Sequence, residues 1–277
     1  MDAARDVVLP LRPLTVGELL DASIGLLRRC SWPLLALGLV CAVALQAVMD
    51  LDGSAPALVN ADAPWGFWTW LAWRMGVEGA LIAILAAPAS AAMTSILLAE
   101  PAAEETAARR VSPIRHVLTP GARWPAVVLA ALLVGALDTF AALACGVTWP
   151  FVYACTGLVV PVLVADRAPA SRFPLRPLAL VFKGACRPAG IRLLGYLGWL
   201  AVRLAVGFAG LAVISWLGDG TPLYWLLVQV PWVAVDTVAL PALACLDACV
   251  HLENRMRTEG LDLALSRGYG RHAVEAV

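Results

Sequence analysis

Two hydrophobic patterns follow one another without a linker near the start of the chain. Over residues 15–29 ("TVGELLDASIGLLRR"), Val16, Leu19, Leu20, Ile24 and Leu27 recur at helical spacing, while Glu18, Asp21, Gly25 and Arg28 take the opposite face. Residues 31–49 then carry no charge at all. The first pattern predicts an amphipathic helix. Thr15 and Glu18 stand three apart as a capping box, and Arg28 and Arg29 close the last turn, where the helix dipole favours cations. Such a helix prefers the membrane–water boundary. Trp32 suits the same boundary, and Pro33 restarts the chain as a membrane span.

Carried along the chain, the same reading predicts six apolar spans, at about 32–49, 75–99, 125–147, 149–165, 193–217 and 224–250. The stretch "FWTWLAW" at 67–73 suits an interfacial aromatic belt ahead of the second span. "RRCSWPLLAL" before the first span resembles "GARWPAVVLA" before the third, with "CRPAGIRLL" before the fifth as a looser echo. Pro88 and Pro241 each lie twelve residues before a glutamate, Glu100 and Glu253, that ends a span. The predicted fold class is all-α integral membrane, with six transmembrane helices as three hairpins, each preceded by a cytoplasmic interfacial elbow helix. It forms a single membrane domain over 1–277: an N-terminal tail at 1–13, the first elbow and hairpin at 14–99, the second at 100–165, the third at 166–250 and a cytoplasmic tail at 251–277.

Composition supports this. Of 277 residues, 61% are hydrophobic and 14% charged, well under the roughly 25% charged of an average soluble domain. Residues 1–13 are polar and proline-punctuated, unlike a cleavable signal peptide. The formal net charge of zero conceals an asymmetry. Stretch 100–124 holds Arg109, Arg110, Arg115 and Arg123, and stretch 166–192 holds Arg167, Arg172, Arg176, Lys183, Arg187 and Arg192. Arg5, Arg12, Arg28, Arg29, Arg255, Arg257, Arg267 and Arg271 flank the two ends. The intervening loops 50–66 and 218–223 have no lysine or arginine and carry Asp50, Asp52, Asp62 and Asp219. Basic residues stay inside, so both termini are expected in the cytoplasm.

Charges inside spans are the candidate chemistry, because each costs about 2.5–3.5 kcal/mol to insert. Asp138, Arg203 and Asp236 lie near the middle of the third, fifth and sixth spans and are expected to form one intramembrane cluster. Arg74 and Glu78 are expected to pair at i, i+4 near the outer boundary. A proton or ion path and a structural lock between hairpins both remain open for these residues. Seven cysteines form no CxxC pair; Cys245 and Cys249 share a helix face around Asp247, ahead of His251, and read as packing residues rather than metal ligands. No GxSxG, HExxH, P-loop or GxGxxG motif occurs. An enzyme is not expected, nor a cofactor, a metal or a nucleic-acid partner. Arginine clusters beside amphipathic helices attract anionic headgroups, which makes membrane lipids the expected partners.

The two ends of the chain carry a resemblance. "LRPLTVGELLDASIGLLRR" resembles the opening of a bacterial polytopic membrane-protein family related to the membrane domain of glycerophosphodiester phosphodiesterases, through Arg12, Pro13, Gly17, Glu18, Asp21, Arg28 and Arg29. "ENRMRTEGLDL" is similar to that family's stretch after the last span, through Glu253, Arg255, Arg257, Glu259, Gly260 and Asp262. The catalytic activity of that family belongs to a separate soluble barrel, so the resemblance implies a membrane domain and no catalytic residues. Arg255 and Arg257 are expected to reach Glu18 and Asp21 on the first elbow. The functional expectation is a non-enzymatic protein of the bacterial cytoplasmic membrane with a scaffold, assembly or lipid-associated role. A small transporter or permease subunit using the Asp/Arg cluster is the alternative.

Overall fold

The computed structural model describes residues 14–51, 64–99, 124–144, 146–166, 175–217 and 222–261. The described chain is helical: α1 (Val16–Arg29), α2 (Ser31–Leu51), α3 (Pro64–Ala99), α4 (Trp124–Leu143), α5 (Trp149–Thr156), α6 (Val159–Ala165), α7 (Leu175–Lys183), α8 (Arg187–Ile214) and α9 (Pro222–Glu259), with a 3-10 turn at Ser215–Leu217 after α8. Five of these, α2, α3, α4, α8 and α9, contain stretches long and apolar enough to cross a membrane.

The fourth expected span is a broken helix, α5 and α6 joined by a turn at Gly157 and Leu158. Pro161 explains the break. It has no N–H to return to the Gly157 carbonyl four residues earlier, and Arg192 occupies the space a Cβ on Gly157 would need, 2.4 Å from its Cδ.

α9 is the central element and packs on α1, α2, α3 and α8. Every residue over 239–254 is buried. Outward positions of the bundle are apolar instead, with Leu129, Leu132, Phe140, Phe208 and Val213 all exposed. That inversion fits a solvent of lipid tails. Without a hydrophobic drive between helices in lipid, close approach at small residues holds them together. α3 and α4 cross at Gly76 and Gly135, where a Cβ on Gly135 would sit 2.7 Å from the Gly76 carbonyl oxygen. α2 meets α9 at Gly38, whose missing Cβ would lie 2.4 Å from the Thr237 carbonyl oxygen, the one that Pro241 leaves without its helical donor.

The opening amphipathic helix forms as α1 with its capping box: the Glu18 amide donates to Thr15 Oγ1 at 3.3 Å and the Thr15 amide to Glu18 Oε2 at 2.8 Å. Its apolar face, however, is turned inward. Leu19 and Leu26 are completely buried, and α1 packs on α9 rather than presenting this face to lipid. The expected second elbow, 100–123, lies outside the described residues. At the expected third elbow, α7 buries Pro177, Leu180 and Val181 and exposes Leu175, Leu178 and Phe182.

Candidate functional site

The chemistry of this chain is concentrated where α8 and α9 face each other. On α8, Arg192, Tyr196 and Arg203 fall at i, i+4 and i+11, which is one face after three turns. On α9, Asp236 and Asp247 are also eleven residues apart, with His251 one turn beyond. The helices run antiparallel, so the two stripes register. Arg192 Nε lies 2.8 Å from Asp247 Oδ1, and Arg203 Nε lies 2.8 Å from Asp236 Oδ1. Arg187 Nη1 adds a third rung by donating to Glu253 Oε1 at 2.5 Å. All three arginines sit on α8 and all three acids on α9.

The outer rung is the hub of a larger node. Arg203 also donates through Nη1 to Glu78 of α3. Asp236 Oδ2 faces Arg74 Nη2 at 3.5 Å and Gln46 Nε2 at 3.4 Å. Arg203, Asp236 and Glu78 are all at most 3% exposed. The Arg203–Asp236 contact is ionic rather than an aligned hydrogen bond, and Arg203 Nη2 has no acceptor.

The middle rung is stacked as well as paired. The Arg192 guanidinium lies 3.9 Å over the Tyr153 ring, within cation–π range, and its Nη1 donates to Thr156 Oγ1 at 3.2 Å. Trp149, Tyr153 and Tyr196 form a ring cluster with centroids 4.8–5.3 Å apart between the two rungs. The Tyr196 hydroxyl donates to Met75 Sδ at 3.5 Å.

The expected Asp138/Arg203/Asp236 cluster is only partly assembled. Arg203 and Asp236 meet, but Glu78 takes the place assigned to Asp138. Nor do Arg74 and Glu78 pair with each other: Glu78 reaches the buried Arg203, while the partly exposed Arg74 reaches the second oxygen of Asp236. Asp138 is completely buried on α4, against Gly79 of α3, and neither carboxylate oxygen has a hydrogen-bond partner. Sequence reasoning missed Arg192, Asp247, Gln46 and the tyrosines. It placed Arg192 in a basic loop and Asp247 between two cysteines. The matched eleven-residue spacing was the available signal.

At the end of the bundle that the arginine bias assigns to the cytoplasm, Asp166 just beyond α6 accepts from three directions. His251 Nε2 lies 3.1 Å from it, Arg255 Nη1 2.8 Å and Arg176 Nη2 2.8 Å. Burial alone would raise the Asp166 carboxyl. The His251 hydrogen bond and the charges of His251 and Arg255, with the Arg176 hydrogen bond, outweigh burial and hold it below its ordinary value of 3.8. Beside it, Glu253 accepts from Arg187 and Arg257, and both arginines also donate to the Leu14 carbonyl oxygen, at 2.7 and 2.9 Å.

This arrangement corrects the expectation for the terminal motifs. α9 does run on to Glu259 and α1 does pack on it, but Arg255 pairs with Asp166 and Glu259, and Arg257 with Glu253. Glu18 is engaged in its own capping box and Asp21 stays exposed on the outer face of α1. Gly260 has φ +64° and stops α9 in a conformation suited to glycine. Gly17 is an open position on α1; Arg12, Pro13 and Asp262 lie outside the described residues. Cys245 and Cys249 are buried free thiols in the core.

Together these features define an all-helical, multi-pass membrane protein with charges built into its interior. Comparison of the chain with protein-family models, curated proteins and solved structures finds no match. None of these comparisons links the chain to the phosphodiesterase-related family.

Proposed function

We propose that the protein is a non-enzymatic integral protein of the bacterial cytoplasmic membrane with a scaffold or assembly role. In this reading the chain crosses six times as three hairpins, α5 and α6 together form the fourth crossing, and both termini are cytoplasmic. One observation carries the scaffold role: Arg203 and its two carboxylates are buried and mutually paired, which suits a lock between helices. Lipid contact belongs to the same reading. Arg28 and Arg29 are exposed beside Trp32, itself 79% exposed, and α7 presents Leu175, Leu178 and Phe182 next to Lys183. Anionic headgroups suit such sites, and the elbow role then falls most clearly on α7.

Two experiments test the reading. Single cysteines at 58 and 170 should label from opposite sides of the membrane, 58 from outside; outside labelling at 170 overturns the six-span topology. Purification from native membrane should retain a stoichiometric protein partner, and the purified protein in liposomes should carry no proton flux. Flux without a retained partner would favour a small transporter or permease subunit, the reading that Asp138 supports by being a buried acid outside the paired network.

A further inference from the structure

Among the described acids buried in the spanning helices, one lacks a cation partner. Glu78, Asp138, Asp236 and Asp247 are all buried within the helices. The cations that meet them are Arg203, Arg192 and, from the partly exposed edge, Arg74. Each acid but one has a guanidinium partner: Glu78 has Arg203, Asp236 has Arg203 and Arg74, and Asp247 has Arg192. Asp138 has none, and neither of its oxygens finds a donor. An isolated ionised carboxylate in a low-dielectric interior is not sustained without a compensating cation.

The surroundings decide which cation. Gly79 packs so closely that a Cβ there would stand 2.2 Å from Asp138 Oδ2. No group of three or more acids, cysteines or histidines with metal-binding geometry exists among the described residues. The elements packed on α4 are α3, α5 and α6. From α3 the charged groups are Arg74 and Glu78, both engaged elsewhere; from α5 Tyr153 stacks under Arg192; α6 brings no titratable side chain. Beyond them, Arg192 on α8 and Asp247 on α9 are paired with each other. Gly79 closes one side of the carboxylate, and no side chain of this shell donates to it.

We propose that Asp138 is a proton-binding site: the chain carries one proton on the Asp138 carboxyl inside the membrane, which leaves this otherwise unpartnered acid neutral. Binding forms the O–H bond at Asp138 from a solvent proton and discharges the carboxylate. The site goes beyond the scaffold reading and can fail while that reading stands, because its test measures protonation and neither partners nor flux.

The test is infrared spectroscopy of the full chain in lipid nanodiscs at neutral pH, where exposed carboxyls are ionised. A carbonyl stretch of a protonated carboxylic acid should be present and should move when aspartate is labelled with carbon-13 but not when glutamate is. It should vanish in Asp138→Asn and persist in Glu78→Gln. Should Asp138→Asn fail to fold, isotope labelling of the wild type together with Asp236→Asn and Asp247→Asn, each retaining the band, makes the same assignment. No protonated carboxyl in the wild type, a band that follows glutamate, or one that survives Asp138→Asn would overturn the proposal.

Discussion

Arg192 and Asp247 meet at 2.8 Å across the α8–α9 interface, eleven residues along each helix from the Arg203–Asp236 pair. At about 1.5 Å per residue the two rungs are roughly 16 Å apart. A helix shift of one residue would break both together. The pairs therefore act as a register device, a role attested for buried ionic groups elsewhere.

Arg192→Leu should lower the melting temperature of the purified protein strongly, since an unpaired Asp247 is left buried, at a cost of about 3–5 kcal/mol. Arg192→Leu with Asp247→Leu should recover part of that loss. Equal melting temperatures for the single and double variants would show that the rung is not an energetic unit.

Arg203 behaves differently because it serves two acids. Arg203→Leu should be only slightly rescued by Asp236→Leu, which leaves Glu78 without its cation, and rescued further when Glu78→Gln is added. Thermal unfolding of the single, double and triple variants checks this order. Full rescue by Asp236→Leu alone would remove Glu78 from the node.

Glycine positions separate packing from propensity. Gly135→Ala puts a Cβ 2.7 Å from the Gly76 carbonyl oxygen and 2.9 Å from the Ala80 Cβ, against a backbone that cannot yield. It should destabilise the protein by about 1–3 kcal/mol, as overpacking does. Gly17→Ala meets nothing within 4 Å and should stabilise α1 by up to about 1 kcal/mol. Chemical or thermal unfolding of the two variants should move in opposite directions.

Asp166 sets an acid limit. Its carboxyl is held below 3.8 in the folded protein, so it stabilises the fold above its ordinary value, and that contribution is lost as pH falls from about 3.8 through the lower folded value. Asp166→Asn should destabilise the protein at neutral pH, where His251, Arg255 and Arg176 lose their shared acceptor. It should also flatten the melting-temperature curve below pH 4. An unchanged acid limb in the variant would assign the loss to other carboxyls.

The sequence by itself determined the membrane class, most helix positions, the capping box at Thr15 and Glu18, and the choice of Arg203 and Asp236 as interior charges. These are local properties: apolar run length, helical period, and the cost of a charge in hydrocarbon. Only the tertiary structure decided the partners. Glu78 reached Arg203 because α3 and α8 both pack on α9, Asp138 was left without a donor against Gly79, and Arg255 found Asp166 instead of α1. Likewise the apolar face of α1 turned inward onto α9, although its pattern suited a lipid surface equally well. Hydrophobic periodicity states that a face must be covered; which surface covers it, and which of several acids meets an arginine, depends on helix crossings between residues far apart in the chain.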